Sequence, residues 1–193
     1  VPLPEDLLVV DVEVDRPTDQ ALAGLRFTIE SWRWAGVPWI VRFGKELPQR
    51  ATEAVVEFNE PPALLFVDDE CPDPRPNRIR FLLGGEDGIV VQMFTKEPGE
   101  RLVSRAVDLD VHYEEVFGER DEAYQRLLED AMVGDPRRFG REDSVAEQWR
   151  VVEPLLNDPS PVQAYEPGTW GPAAAAGVPG AVGREWIDPH PPR

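Results

Sequence analysis

Through most of its first two thirds this chain alternates apolar and polar residues with a period of two. That pattern constrains the fold more than anything else in it. In Leu25-Arg26-Phe27-Thr28-Ile29-Glu30 the apolar side chains fall on one face and the polar ones on the other, as in a half-buried strand. The same alternation predicts strands at Trp39–Phe43, Ala54–Phe58, Ala63–Val67, Arg78–Leu83, Ile89–Phe94 and Leu102–Tyr113, and "LLVVDVEVD" near the start offers another. The links are short and carry Gly and Pro, as in "GGEDG" (Gly84–Gly88) and "EPGE" (Glu97–Glu100). Turns of that kind make hairpins, so a large, mostly antiparallel sheet is expected, wet or helix-covered on its second face.

The period then changes to that of a helix. From Asp121 to Val133, Ala123, Tyr124, Leu127, Leu128, Ala131 and Met132 form one stripe, with Gly134 as the stop. Ser144-Val145-Ala146-Glu147 reads as a capping box ahead of Trp149, Val152 and Leu155, and Pro154 is expected to kink or end that helix near its last turn. Beyond Asn157 the chain is rich in Pro, Gly and Ala, and such a tail depends on docking for any fixed shape. Strands first and helices after spell α+β, not the alternation of a nucleotide-binding fold. The expected segments are an N-terminal strand or linker over 1–23, an α+β domain over 24–157 and a tail over 158–193.

Bulk properties narrow the function. At 193 residues the chain suits one domain with a tail. A formal charge of -17 argues against a broad nucleic-acid or anionic-membrane surface. No apolar run approaches the roughly 20 residues of a membrane-spanning helix. The opening "VPLPEDLLVV" has neither an initiator Met nor a basic n-region, so no signal peptide is expected and the sequence reads as a piece of a longer protein. The single Cys71 excludes an internal disulfide and suits a reducing cytosol, with an inert loop thiol expected.

Few motifs in the chain carry recognisable chemistry. Gly44-Lys45 is not a phosphate loop, because Trp39 stands where the first Gly belongs and Glu46 follows the Lys. There is no G-x-G-x-x-G and no G-x-S-x-G. Asp108, Asp110 and His112 alternate onto one strand face, but with only His190 elsewhere a zinc site is incomplete and a solvated face is expected. Trp32 and Trp34 are expected to fill a core or an interface. Arg42, Lys45 and Arg50 remain, in "VRFGKELPQR". Cations flanking a Gly turn after a strand suit either an anionic ligand such as a phosphate monoester or an ordinary exposed basic loop.

The stretch "WRWAGVPWIVRFGKELPQR" resembles the W-R-W-x-G-V-P-F-x-x-R-x-G-K-x-L-x-x-R signature of the C-terminal part of glucose-6-phosphate dehydrogenase. The likeness continues in "FTKEPGE", in "DEAYQRLLEDAMVGDPRRFGREDSVAEQWRVVEPLL" (Asp121–Leu156), in "YEPGTWGP" (Tyr165–Pro172) and in the terminal "WIDPH". The family oxidises glucose 6-phosphate to its lactone with NADP, at the head of the pentose phosphate route in the cytoplasm. The resemblance implies a C-terminal α+β domain whose antiparallel sheet builds the interface of a homo-oligomer. It also implies that Lys45 contacts the phosphate-bearing sugar with Arg50 in support, and that Arg42 sits where some members hold a second, structural NADP. In this reading the Trp32–Trp39 knot fixes the backbone so that Lys45 projects toward a cleft.

Other family parts are not matched. The coenzyme-binding domain and the "R-I-D-H-Y-L-G-K-E" segment that carries the catalytic base lie outside this sequence, so the chain alone is expected to be inactive and no catalytic residue is assigned within it. In "NRIRFLLGGEDGI", Leu82 and Gly84 replace an Arg and a Gln that some members use for structural NADP or substrate. The main NADP is expected on the coenzyme domain, and those two replacements weaken the second site. They also favour, as the alternative, a stand-alone sugar-phosphate-binding or oligomerisation module without enzymatic activity.

Overall fold

The computed structural model describes residues 9–13, 21–61, 75–84, 87–100, 103–118, 123–157 and 163–191. Two compact units emerge, one of residues 1–50 with 130–188 and one of 51–129 with 189–193. Among the described residues the strands form two sheets where the sequence pattern suggested one. β1 (Val9–Glu13), β2 (Ala21–Phe27) and β3 (Trp39–Gly44) make the first, in that order; β4 (Thr52–Glu57), β5 (Arg78–Leu83), β6 (Gly88–Lys96) and β7 (Ser104–His112) make the second. All pairs are antiparallel. The ladder breaks after β3 because Glu46 takes a left-handed φ of 53° and Pro48 has no N–H to donate. Residue 24 lies in the middle of β2. The expected strand Ala63–Val67 and Cys71 lie outside the described residues.

In the first unit the helix within residues 163–188 packs on the first sheet. α4 (Ala173–Gly180) rests on β1 and β2, and its alanines favour a helix without adding bulk. Leu22, Tyr165 and Ala175 form the core cluster with Leu47 beside them, and Val178 and Pro179 are also buried. Leu22 is only 1% exposed. Two glycines make the close approach possible. A side chain on Gly24 would meet Val178 Cγ2 at 3.3 Å, and one on Gly171, whose φ is 98°, would meet Leu22 Cδ2 at 3.0 Å.

α3 (Glu142–Asn157) starts earlier than the Ser144 capping box predicts. The Arg141 carbonyl accepts the Val145 N–H at 3.0 Å, and Asp143 Oδ1 accepts the Ser144 N–H at 2.9 Å. Ser144 therefore sits inside the first turn. Pro154 falls in the last turn, and the helix ends three residues further on, at Asn157, as expected. The apolar stripes of α2 (Ala123–Val133) and α3 exist and are only partly covered: Leu127, Val152 and Leu155 are half-buried, whereas Met132 is 87% exposed and Trp149 and Leu156 are exposed too.

The second sheet has two unlike faces. Register places Val56, Ile79, Phe81, Ile89, Val91, Met93, Val107, Leu109 and Val111 on one side. Phe81, Met93, Val107, Leu109 and Val111 of that row are exposed. Across the opposite face Arg80 pairs with Glu53 at 2.8 Å and Arg78 with Glu57 at 2.7 Å. Glu53 also accepts the His190 N–H at 3.0 Å, which ties the terminal "DPH" to β4. His112 departs from the solvated face expected for it. It is 7% exposed, its Nε2 has no hydrogen-bond partner among the described residues, and it lies opposite Gly88 in the register.

Candidate functional site

Lys45 follows the last residue of β3 and Arg42 lies two residues inside that strand's end. Their backbone is braced from the tail. The Tyr165 hydroxyl donates to the Lys45 carbonyl at 2.7 Å, and the Gly168 N–H donates to the Glu46 carbonyl at 2.7 Å. Glu46 is the non-glycine residue with positive φ among those described. A left-handed glutamate costs about 1–2 kcal/mol, and it persists here because Tyr165 and Gly168 hold the peptide groups on either side.

The tryptophan knot does less than the sequence suggests. Trp34 packs edge-on against Trp39 with ring centroids 5.1 Å apart, and Phe27 stacks on Trp39 at 5.9 Å. These contacts anchor the start of β3, six residues before Lys45. Trp32 is 94% exposed and fills no core among the described residues. The physical reason is the tight turn at Ser31–Val37, where Ser31 and Trp34 carbonyls accept the Trp34 and Val37 N–H groups and lift Trp32 off the sheet.

The aromatic groups at the cations come instead from Trp170 and Trp186. The Arg42 Cζ lies 4.1 Å from the Trp170 ring centroid and 4.7 Å from that of Trp186. Trp186 is itself fixed by its indole N–H donating to the Ala175 carbonyl at 2.8 Å. Gly24 faces Arg42 across the β2–β3 register, and its missing side chain leaves the floor on which Trp186 and Val178 lie. Burial pulls the Arg42 guanidinium below its ordinary value, and the charge of Asp188 opposes that pull.

The three sequence-predicted cations thus part company. Arg42 is half-buried under indoles, whereas Lys45 and Arg50 are exposed. Among the described residues no hydrogen bond or ion pair engages the Lys45 ammonium. A shallow, open depression along α3 is lined by Asp143, Ser144, Glu147, Gln148 and Val151, and its carboxylates would repel a phosphate. No group of His, Cys, Asp and Glu among the described residues is arranged to hold a metal. None of the described helices is long and apolar enough to cross a membrane.

Sequence reasoning missed Tyr165, Trp170 and Trp186 as partners of this basic strand end. The available signal was the aromatic spacing of "YEPGTWGP" and "EWIDP" in an otherwise small-residue tail.

Comparison with known proteins supplies the context of the site. Residues 12–187 match the family profile of the glucose-6-phosphate dehydrogenase C-terminal domain. A glucose-6-phosphate 1-dehydrogenase of Aggregatibacter actinomycetemcomitans is 39% identical over 176 residues, which is 89% of this chain and 35% of that protein. Glucose-6-phosphate 1-dehydrogenase 1 of Mycobacterium tuberculosis is 38% identical over 96% of this chain and 38% of its own length. The chain therefore spans little more than a third of these relatives. The crystal structure of glucose-6-phosphate 1-dehydrogenase from Mycobacterium avium superposes with a TM-score of 0.79 at 31% identity, over 96% of this chain and 41% of that one. A glucose-6-phosphate dehydrogenase in complex with its substrate glucose-6-phosphate shares the fold, with a TM-score of 0.76 at 24% identity.

Proposed function

This chain belongs to the glucose-6-phosphate dehydrogenase C-terminal domain family, and from that premise we propose that it is the substrate-phosphate-holding and oligomerising part of an NADP-dependent enzyme that oxidises glucose 6-phosphate to its lactone. The observation that carries the reading is the exposed ammonium of Lys45, with which no described residue pairs, on a backbone fixed by Tyr165 and Gly168. A backbone fixed before the ligand arrives spares the cost of ordering the loop on binding, so more of the ammonium's attraction appears as affinity. Lys45 offers a point charge to the phosphate, and Arg50, five residues on, offers a fork for further oxygens.

The chemistry divides accordingly. NADP supplies the hydride acceptor, and its binding domain, together with the base that takes the hydroxyl proton, belongs to the part of the family this chain does not align with. Lys45 and Arg50 orient the sugar by its phosphate end and hold no reacting proton. A homo-oligomer formed through the second sheet is supported by the exposed apolar row from Phe81 to Val111. The exposed apolar residues of α2 and α3, among them Leu128, Met132 and Trp149, offer an apolar surface for the coenzyme-binding domain. A reducing cytosol suits a chain with one cysteine.

The experiment is a coupled pair of assays for NADPH absorbance with glucose 6-phosphate and NADP. The complete protein that carries this chain turns over, and the 193-residue chain does not. Turnover by the chain alone, or none by the complete protein, overturns the reading.

A further inference from the structure

Arg42 occupies the position at which the family resemblance puts a ligand of a second, structural NADP, and the residues present do not fit that task. A nucleotide phosphate needs a guanidinium with free donors and an open approach. Here the guanidinium is half-buried, with indole rings at 4.1 and 4.7 Å and the negative charge of Asp188 already near it. Leu82 and Gly84 provide neither guanidinium nor amide where some members have both.

We propose that Arg42 is a protein-only latch: it holds the segment Tyr165–Asp188 onto the β2–β3 face and thereby positions Lys45, in place of a bound nucleotide. The connections are explicit. Trp170 and Trp186 flank the two ends of the segment that contains α4, and both lie over the same guanidinium. Trp186 is tied to α4 through the Ala175 carbonyl, and α4 buries Ala175 and Val178 against the β2 side, where Gly24 leaves room. At the other end, Trp170 follows Gly168 and Tyr165, whose N–H and hydroxyl grip the Glu46 and Lys45 carbonyls. A planar cation suits this use, since it stacks on rings where an ammonium only approaches them. Arg42 is thus a positioning residue acting on Lys45 through the tail.

Amide hydrogen exchange on the 193-residue chain tests this without reference to catalysis, so failure of the latch is distinguishable from failure of the substrate reading. The reporter is the Gly168 N–H, which donates to the Glu46 carbonyl. Arg42→Ala is expected to speed its exchange at least about tenfold, a loss of about 1.4 kcal/mol of protection. Trp170→Leu is expected to do the same, and the double variant to add less than about twofold, because both changes open one latch. Arg42→Lys recovers part of the protection, and it also serves if Arg42→Ala fails to fold. NADP at millimolar concentration is expected to leave wild-type exchange unchanged. Unaltered Gly168 exchange in Arg42→Lys and Trp170→Leu overturns the latch. NADP-induced protection that Arg42→Lys weakens overturns it too, and restores the nucleotide role.

Discussion

The Tyr165 hydroxyl donates a 2.7 Å hydrogen bond to the backbone carbonyl of Lys45, a residue 120 positions earlier in the chain. That bond joins the core of the first unit to the peptide that carries the proposed phosphate-binding cation. Tyr165→Phe removes the bond and leaves the ring. The expected cost is about 1 kcal/mol of stability, read as a lower urea midpoint. In the complete enzyme, KM for glucose 6-phosphate should rise several-fold with kcat little changed. A pure stability loss with KM unmoved would separate Tyr165 from the substrate site.

The same phenol gives a pH dependence with a definite sign. Burial, aided by the charge of Glu46, pushes the Tyr165 phenol above its ordinary value. Only the protonated phenol can donate to Lys45. Because the folded value is the higher one, the bond's contribution is full below the unfolded phenol value of about 10 and is lost as pH rises through the folded value. Wild type should therefore keep a constant lead over Tyr165→Phe from about pH 6 to about pH 9 and lose it above about pH 10. A lead that already shrinks near neutrality would contradict the assignment of the bond.

Gly88 is a packing constraint in the second sheet. A Cβ there would stand 2.5 Å from the Val111 carbonyl oxygen, and the site lies between Leu82 and His112 in the register. No flexible side-chain end can yield, because the obstacle is backbone. Gly88→Ala should cost about 1–3 kcal/mol or more, seen by thermal denaturation, whereas Gly140→Ala, with only a contact at 3.9 Å, should cost far less.

The exposed row on β5, β6 and β7 predicts an assembly. Leu109→Glu puts a charge in the middle of that apolar face, opposite Val91. Burying an unpaired charge is costly enough to open an interface. Light scattering after size exclusion is expected to show an oligomer for wild type and its monomer for Leu109→Glu, with circular dichroism unchanged. An unaltered mass would place the interface elsewhere.

Much of the fold was legible because one rule, alternation with period two, governs β4 to β7. Arg78–Leu83 is a strand over the whole span the pattern indicates, and β6 and β7 depart from theirs only at the ends. The division of the described strands into two sheets was not legible, since alternation says which residues form strands and nothing about which strands pair. The start of α3 was misread because two capping arrangements compete: a Ser144 cap, and the Arg141 carbonyl with the Asp143 carboxylate, which wins. At the site, the cations could be read from the sequence and their bracing could not. Trp32, Trp34 and Trp39 were adjacent and drew attention, while Tyr165, Trp170 and Trp186 act over more than a hundred residues of separation, which local patterns do not encode.

The account rests on Lys45 recognising a phosphate, and the most direct measurement compares kcat/KM for glucose 6-phosphate with that for unphosphorylated glucose in the complete enzyme, wild type and Lys45→Ala. A charge-assisted contact contributes about 1.5–3 kcal/mol, so the variant should lose about 10- to 150-fold on glucose 6-phosphate and stay within about twofold on glucose. Equal losses on both sugars, or none on either, would contradict it.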